Sequence, residues 1–414
     1  MGSENVYKRQ ALGGTPVTGK ANPALKPFDD LMIAFVTDHK APGAALAVTK
    51  DGRLVYARGF GLADRKTREP VEPTSLFRIA SISKPITAVA VLQLVERGKL
   101  RLDDKIFSIL KHQPHLPEGA KVDPRLGKIT ILHLLRHTAG FDRDVSLDPM
   151  FQSVRFAEML GVEPPAKPDH IIRVMKGRPL DFDPGQRYAY SNFGYCLLGR
   201  AIEAVSGQSY EAYVREHILA PLGITRMRIG KTLLEGRAPG EVRYYDEKGR
   251  RRNAVLGPRL GKPVAWPYGG WYLEAMDSHG GWIASAVDLV RFASAFDRPP
   301  KCPILSAGSI RTMFARPKGL AGYDEEGKPR AAYYGCGWRV RPVGRKANHW
   351  HTGGLAGTST LLVRRHDGLN WAVLFNTRSG PGGKALASLI DPLVHRAADA
   401  VKSWPKGDLF EQYR

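Results

Sequence analysis

Ser81 and Lys84 stand three residues apart in "RIASISKPITAVAVLQLVERG", at the mouth of an apolar run. A serine hydroxyl is a weak nucleophile until a neighbour takes its proton, and on a helix a lysine three residues on lies on the same face, within reach. That lysine serves as a base only if burial or nearby cations strip its charge. A helix N-terminus at Ser81–Ser83 adds N–H groups and positive field where an acyl-transfer oxyanion would form. The same letters also describe a serine cap followed by a solvated lysine, so the motif alone leaves both readings open.

Two further stretches bear on the choice. "FDPGQRYAYSNFGYCLLG" places Tyr190-Ser191-Asn192 directly before a helical pattern, and "HWHTGGLAGTSTLLV" places His351-Thr352-Gly353-Gly354 directly before a β pattern. In this order S-x-x-K, Y-x-N and (K/H)-T-G resemble the serine β-lactamase and penicillin-recognising superfamily, above all class C β-lactamases and family VIII carboxylesterases. "LDDKI", "LLRHTAGF" and "HGGWIASAVDLVRF" resemble it too, and the likeness runs from about Phe28 to about Val401. The resemblance implies Ser81 as the nucleophile of an acyl-enzyme, Lys84 as its partner base and Tyr190 as a second proton carrier. Which of Lys84 and Tyr190 takes the serine proton stays open. It further implies Asn192 as a tether for Lys84 and a contact for the acyl side. The oxyanion hole would be the backbone N–H groups of Ser81 and Gly354, beside Gly353 on a strand edge.

One position departs from the lactamase pattern. His351 stands where β-lactamases carry a carboxylate-reading lysine. A shorter, mostly neutral imidazole weakens recognition of a carboxylate and turns the expectation toward neutral esters. Trp266, Tyr268, Trp271 and Tyr272 in "AWPYGGWYLEAMDSHGGW", with Trp350, read either as a packed hinge or as a pocket wall for apolar groups. Other chemistries lack their residues. His349 and His351 have no identifiable third metal ligand, and Leu134 occupies the glutamate place between His133 and His137. There is no G-x-S-x-G elbow, phosphate loop or dinucleotide fingerprint. No cofactor is expected.

The elements that must position these residues are an α+β set. Apolar spacing predicts a helix over 25–38, and Lys50-Asp51-Gly52 predicts a tight hairpin between two β runs. A helix runs from Ser81–Ser83 to a C′ glycine at Gly98, with Pro85 in its first turn. Helices follow in "ILHLLRHTAGF", "SNFGYCLLGRAIEAVSG" and "SYEAYVREHILAPLGI", and a capping box at Ser285–Asp288 opens another. The β texture returns in "YYGCGWRVRP", "TSTLLVRRH" and "NWAVLFNT", and a helix over 385–401 closes the chain. Strands at both ends without β-α-β alternation predict an antiparallel sheet flanked by helices, with an inserted, mainly helical lobe. The division expected is a non-native or disordered leader at 1–22, a discontinuous sheet domain of 23–110 and 273–405, a helical lobe of 111–272 and a tail at 406–414.

Composition sets the outer limits. With 414 residues, 43% hydrophobic and 25% charged, the chain can bury a large core, and it carries no uninterrupted apolar run long enough for a transmembrane segment. The formal charge of +22 is scattered, apart from Lys248–Arg252, and no nucleic-acid module accompanies it, so a solvated basic surface is expected and nucleic acid is not a partner. Cys196, Cys302 and Cys336 have neither disulfide nor zinc spacing. The compartment stays undecided: family likeness fits an exported or periplasmic protein, and nothing opposes a cytoplasmic one. Oligomeric state is not readable. The expectation is a serine hydrolase cleaving short-chain or aryl carboxylic esters. A β-lactamase or D-amino-acid peptidase on the same site is the alternative, ahead of a non-catalytic envelope-binding module.

Overall fold

The structure, a computed structural model, describes residues 14–246 and 248–413. Among the described residues, nine strands form one antiparallel sheet: β1 (Val17–Thr18), β2 (Gly43–Lys50), β3 (Arg53–Asp64), β4 (Glu69–Pro70), β5 (Tyr333–Tyr334), β6 (Arg339–Val343), β7 (Lys346–Leu355), β8 (Thr358–Arg364) and β9 (Leu369–Phe375). Their order is β1-β3-β2-β9-β8-β7-β6-β5, with β4 beside β3. An N-terminal hairpin thus joins a C-terminal meander at the β2–β9 pair, where Leu46 faces Val373. Asp51 and Gly52 both have positive φ, the conformation a two-residue hairpin of this twist requires.

Five longer helices matter for the site: α1 (Lys26–Asp38), α2 (Ser83–Glu96), α3 (Asn192–Ser206), α4 (Ala286–Ser294) and α5 (Leu386–Asp399). One face of the sheet packs under α1 and α5, where Phe28, Met32 and Phe35 meet Trp371, Phe375, Ile390 and Val394. The other face receives α4, opened by the reciprocal Ser285–Asp288 cap. Helix α2 is not one-sided, because every residue from Ser83 to Leu94 is buried. It packs against α3, against the short helix Asp277–Gly280 and against Tyr210–Val214. A helix apolar all round is a central one. The core therefore runs continuously from the sheet into the helices of 131–222, where the sequence suggests a division near residue 110.

Both ends differ from expectation. Residues 1–13 of the expected leader lie outside the described residues. Residues 14–22 are not a leader but part of the fold: β1 pairs Val17 with Phe60, and the Thr18 hydroxyl donates to the Val71 carbonyl. The tail folds back onto the sheet. Leu409 donates to the Leu54 carbonyl, Asp408 accepts from the Leu54 N–H, and Phe410 is buried against Arg291.

Candidate active site

The nucleophile candidate sits on a clamped turn. Arg78 and Ile79 are held from both sides: the Thr358 and Thr360 hydroxyls donate to their carbonyls, and their N–H groups donate to the Tyr244 hydroxyl and the Trp282 carbonyl. Ala80 then takes φ +48°, a left-handed conformation that costs a non-glycine residue about 1–3 kcal/mol and persists only where surroundings enforce it. The result is a short 3-10 turn, Ala80–Ile82, that leaves Ser81 partly exposed at the head of α2. Ser83, the second serine, is buried and donates to the Ala80 carbonyl at 2.7 Å, so it braces the turn.

One turn on, Lys84 is fully buried, and its Nζ has three oxygen neighbours: Ser81 Oγ at 3.0 Å, Asn192 Oδ1 at 2.7 Å and the His279 carbonyl at 2.9 Å. Burial holds its ammonium well below the usual lysine range, with Arg143 pushing the same way and Asp148 opposing. The nitrogen also lies 4.7 Å from the Tyr190 ring centre and 5.7 Å from that of Tyr195. Tyr190 and Asn192 flank Ser191, whose side chain caps α3 by accepting from the Gly194 N–H. The cap fixes the helix start, and with it the entry of both neighbours. Burial raises the Tyr190 phenol, and its hydrogen bond with Ser81 works against that rise. The cations near it, Lys84 and Arg143, stand over its ring.

Strand β7 completes the site. Its pairing with β6 stops at Trp350, while its pairing with β8 continues to Leu355. Among the described residues, 351–355 therefore have one edge without a strand partner, beside the Ala80–Ile82 turn. Alternation buries His351 and Gly353 and exposes Thr352 and Gly354. Gly353 is there for lack of space: a Cβ would stand 2.2 Å from the Ile79 carbonyl oxygen and 2.3 Å from Thr360 Oγ1. Gly354 is open: among the described residues, Arg378 Nε, at 3.9 Å, is what a Cβ there would meet.

His351 is less available than the sequence suggests. Nδ1 donates to the Thr352 carbonyl at 2.7 Å, which leaves Nε2 to accept from the Tyr334 hydroxyl at 2.9 Å. Burial and the Lys84 charge bring it down to about 3, so the ring is neutral and both nitrogens are engaged within the protein. Tyr334 lies 4.5 Å, centre to centre, from the buried ring of His137, which itself rests on Tyr190 at 4.4 Å. His137 accepts from the Ser191 N–H, and His133 closes a cap with Thr130. His349 packs on Phe314 beside Arg364. Among the described residues, no three ligating side chains gather around a metal position.

The aromatic candidates separate. Trp271 is buried with Ala80, Leu355 and Ala356, and Trp266 packs against that cluster, so both border the Ala80–Ile82 turn and the β7 edge. The guanidinium groups of Arg250 and Arg252 each stand 4.7 Å from the centre of the Trp266 ring, which joins the basic run to the aromatic segment. Tyr268 packs apart from that cluster: its hydroxyl accepts from the Tyr244 N–H, and its ring stands by buried Arg78. Tyr272 is half-buried in the same loop. Trp350 is not brought to the site. It packs with the α1–α5 core, on the opposite face of β7 from His351, as the two-residue period of a strand demands.

Sequence reasoning missed Tyr334 and Asp148. Tyr334 holds His351, and Asp148 accepts from Asn192 Nδ2 at 2.6 Å. Neither follows a local pattern, since 44 residues separate Asp148 from Asn192.

The sequence profile of the Beta-lactamase family matches residues 28–394. The chain belongs to this family. Its sheet, flanking helices and helical insertion are the family's β-lactamase/transpeptidase-like fold. The chain is 30% identical over 364 residues to penicillin-binding protein 4 of Amycolatopsis lactamdurans, covering 86% of this chain and 85% of that one. To esterase EstB of Burkholderia gladioli it is 30% identical over 293 residues, 66% of this chain and 70% of the other. It matches the protein named "Probable fimbrial assembly protein FimD, serogroup H1" of Dichelobacter nodosus at 29% identity, spanning 62% of that protein's length. The octameric penicillin-binding protein homologue from Pyrococcus abyssi superposes with a TM-score of 0.65 at 27% identity, covering 89% of this chain and 77% of that one.

Proposed function

We propose that the chain is a cofactor-independent serine hydrolase that cleaves carboxylic esters through an acyl-enzyme on Ser81. The observation that carries this reading is the three-fold surround of Lys84 Nζ. A neutral amine has two N–H groups and one lone pair. Asn192 Oδ1 and the His279 carbonyl can only accept, so they take the two N–H groups and leave the lone pair directed at Ser81 Oγ. Burial favours the neutral form. Lys84 therefore removes the serine proton as Oγ attacks the ester carbonyl, and the N–H groups of Ser81 and Gly354 receive the oxyanion. Tyr190, whose phenol is held protonated, hands the proton from Lys84 to the leaving alkoxide. Water then enters, and the same groups run the sequence in reverse to release the acid.

A neutral His351 with both nitrogens engaged offers no charge to a substrate carboxylate, which favours neutral esters. Arg378, exposed beside Gly354, supports a second reading in which a β-lactam or D-amino-acid peptide presents its carboxylate there. A panel of p-nitrophenyl esters, nitrocefin and D-alanyl peptides, run on the parent and on Ser81→Ala, separates the two. Ester turnover abolished by Ser81→Ala is the expected result. Parent-level ester turnover in Ser81→Ala refutes the nucleophile, and turnover confined to nitrocefin or the peptides replaces the substrate.

A further inference from the structure

Asn192 supports Lys84 only if its amide is set one way round, with the oxygen toward the amine. An amide flipped by half a turn would present N–H groups to a nitrogen that is itself a donor. Asn192 Nδ2 donates to Asp148 Oδ2 at 2.6 Å, and the other carboxylate oxygen, Oδ1, accepts from the Met150 N–H at 3.1 Å. Two donors thus converge on Asp148, and only a carboxylate has an oxygen for each. We propose that Asp148 is a positioning residue: it fixes the orientation of the Asn192 amide and, through it, the direction of the Lys84 lone pair. This rests on the reading that the Ser81–Lys84 pair acylates.

The segment that delivers Asp148 is built for placement. The Asp142 N–H donates to Asp181, and its carboxylate caps the turn Arg143–Ser146 and pairs with Arg187 at 2.8 Å. At the other end Asp148 caps the 3-10 turn Pro149–Phe151. Between them Leu147 is held at φ 69°, ψ 162°, a region that suits glycine, while its side chain is exposed. Nothing is gained by burying Leu147. The strained backbone is what sets the following carboxylate against Asn192.

Asp148 also acts on Lys84 by charge. The charged groups facing Lys84 are Asp148 and Arg143. The His137, His279 and His351 rings around it are held neutral, and the Tyr190 and Tyr195 phenols protonated, by burial. A negative charge favours the ammonium, so removing it lowers the Lys84 pKa and moves the acid limb of the rate profile to lower pH.

The test uses the rate at which a fluorophosphonate modifies Ser81, read by intact mass between pH 5 and 9 in the parent, Asp148→Ala, Asn192→Ala and the double variant. Orientation through Asn192 predicts roughly a 30-fold or greater loss in each single variant and no further loss in the double. Asp148→Ala, but not Asn192→Ala, displaces the acid limb downward by about half a unit or more. Asp148→Asn, which keeps the size and removes the charge, shows the same displacement. Losses that multiply in the double variant, or uniform losses with no displacement in Asp148→Ala and Asp148→Asn, overturn the proposal. Phosphonylation does not depend on the substrate, so a wrong ester assignment leaves this result standing. A parent that never labels at Ser81 refutes the acylation reading instead.

Discussion

Gly353→Ala isolates the geometry that couples the nucleophile turn to β7. The added methyl would stand 2.2 Å from the Ile79 carbonyl oxygen, 2.3 Å from Thr360 Oγ1 and 3.1 Å from Ala80 Cβ. Ordinary contact begins near 3.4 Å, so turn and strand must part by about 1 Å. The nearest obstacle is backbone and cannot swing aside. Thr360 Oγ1 is also the donor that holds the Ile79 carbonyl, so the same methyl strikes both partners of a bond that fixes the turn. A displacement of this size between nucleophile and oxyanion donors costs on the order of 100-fold in kcat/KM. Gly354→Ala is the control, because its methyl meets only Arg378 Nε at 3.9 Å and leaves the turn in place. The assay is ester hydrolysis alongside thermal unfolding. Gly353→Ala should lose activity and unfold earlier, and Gly354→Ala should keep the parent's melting temperature. Gly353→Ala within three-fold of the parent kcat/KM would show that the close approach of turn and strand does not set the site.

The two serines should behave differently: Ser83→Ala removes the 2.7 Å hydroxyl donor from the Ala80 carbonyl, which keeps the Ser83 backbone N–H, and lowers stability by about 0.5–1.5 kcal/mol in denaturant titrations while retaining turnover, and Ser81→Ala abolishes turnover with little change in stability. Tyr334→Phe leaves His351 Nε2 an unpaired buried acceptor and should cost about 1–3 kcal/mol, with the acid limb of the rate profile unmoved, because His351 is already neutral well above a pKa of about 3. Acid should weaken the fold. His137, His279, His349 and His351 are all depressed by burial, so below the unfolded value of about 6.5 the unfolded chain binds protons that the folded one refuses. Stability is full above that pH and falls by up to about 1.4 kcal/mol per unit for each such ring on acidification toward the depressed values, with raised Asp148, Asp288 and Asp297 partly offsetting the loss at the acid end. Denaturant midpoints at pH 7.5 and 5.5 check this, and an unchanged or higher midpoint at 5.5 contradicts it.

What the sequence disclosed and what it hid divide by range of interaction. The hairpin at Lys50–Arg53, the Ser285 cap, the Gly98 and Gly207 helix ends and the antiparallel strands all depend on neighbours within a few residues, and each is legible. The burial of α2 on every side is legible only as far as its apolar residues run all round the helix; the partners that cover it, α3, Asp277–Gly280 and Tyr210–Val214, come from far along the chain. The strain at Ala80 and Leu147 is invisible for the same reason: neither residue type asks for positive φ, and the clamps that impose it come from residues far along the chain. Trp350 was decidable in advance. Once His351 is assigned to one face of a strand, its neighbour must occupy the other. Asp148 carried no such signal, since only the folded chain brings it to Asn192.

The most direct measurement is rapid quenching of the parent with a slowly deacylating p-nitrophenyl ester, followed by intact mass and peptide mapping. The mechanism predicts one acyl group on the peptide that carries Ser81, with its formation slowing on the acid side as Lys84 becomes protonated, and no adduct in Ser81→Ala. Ester turnover without an adduct, or with the acyl group on another residue, contradicts it.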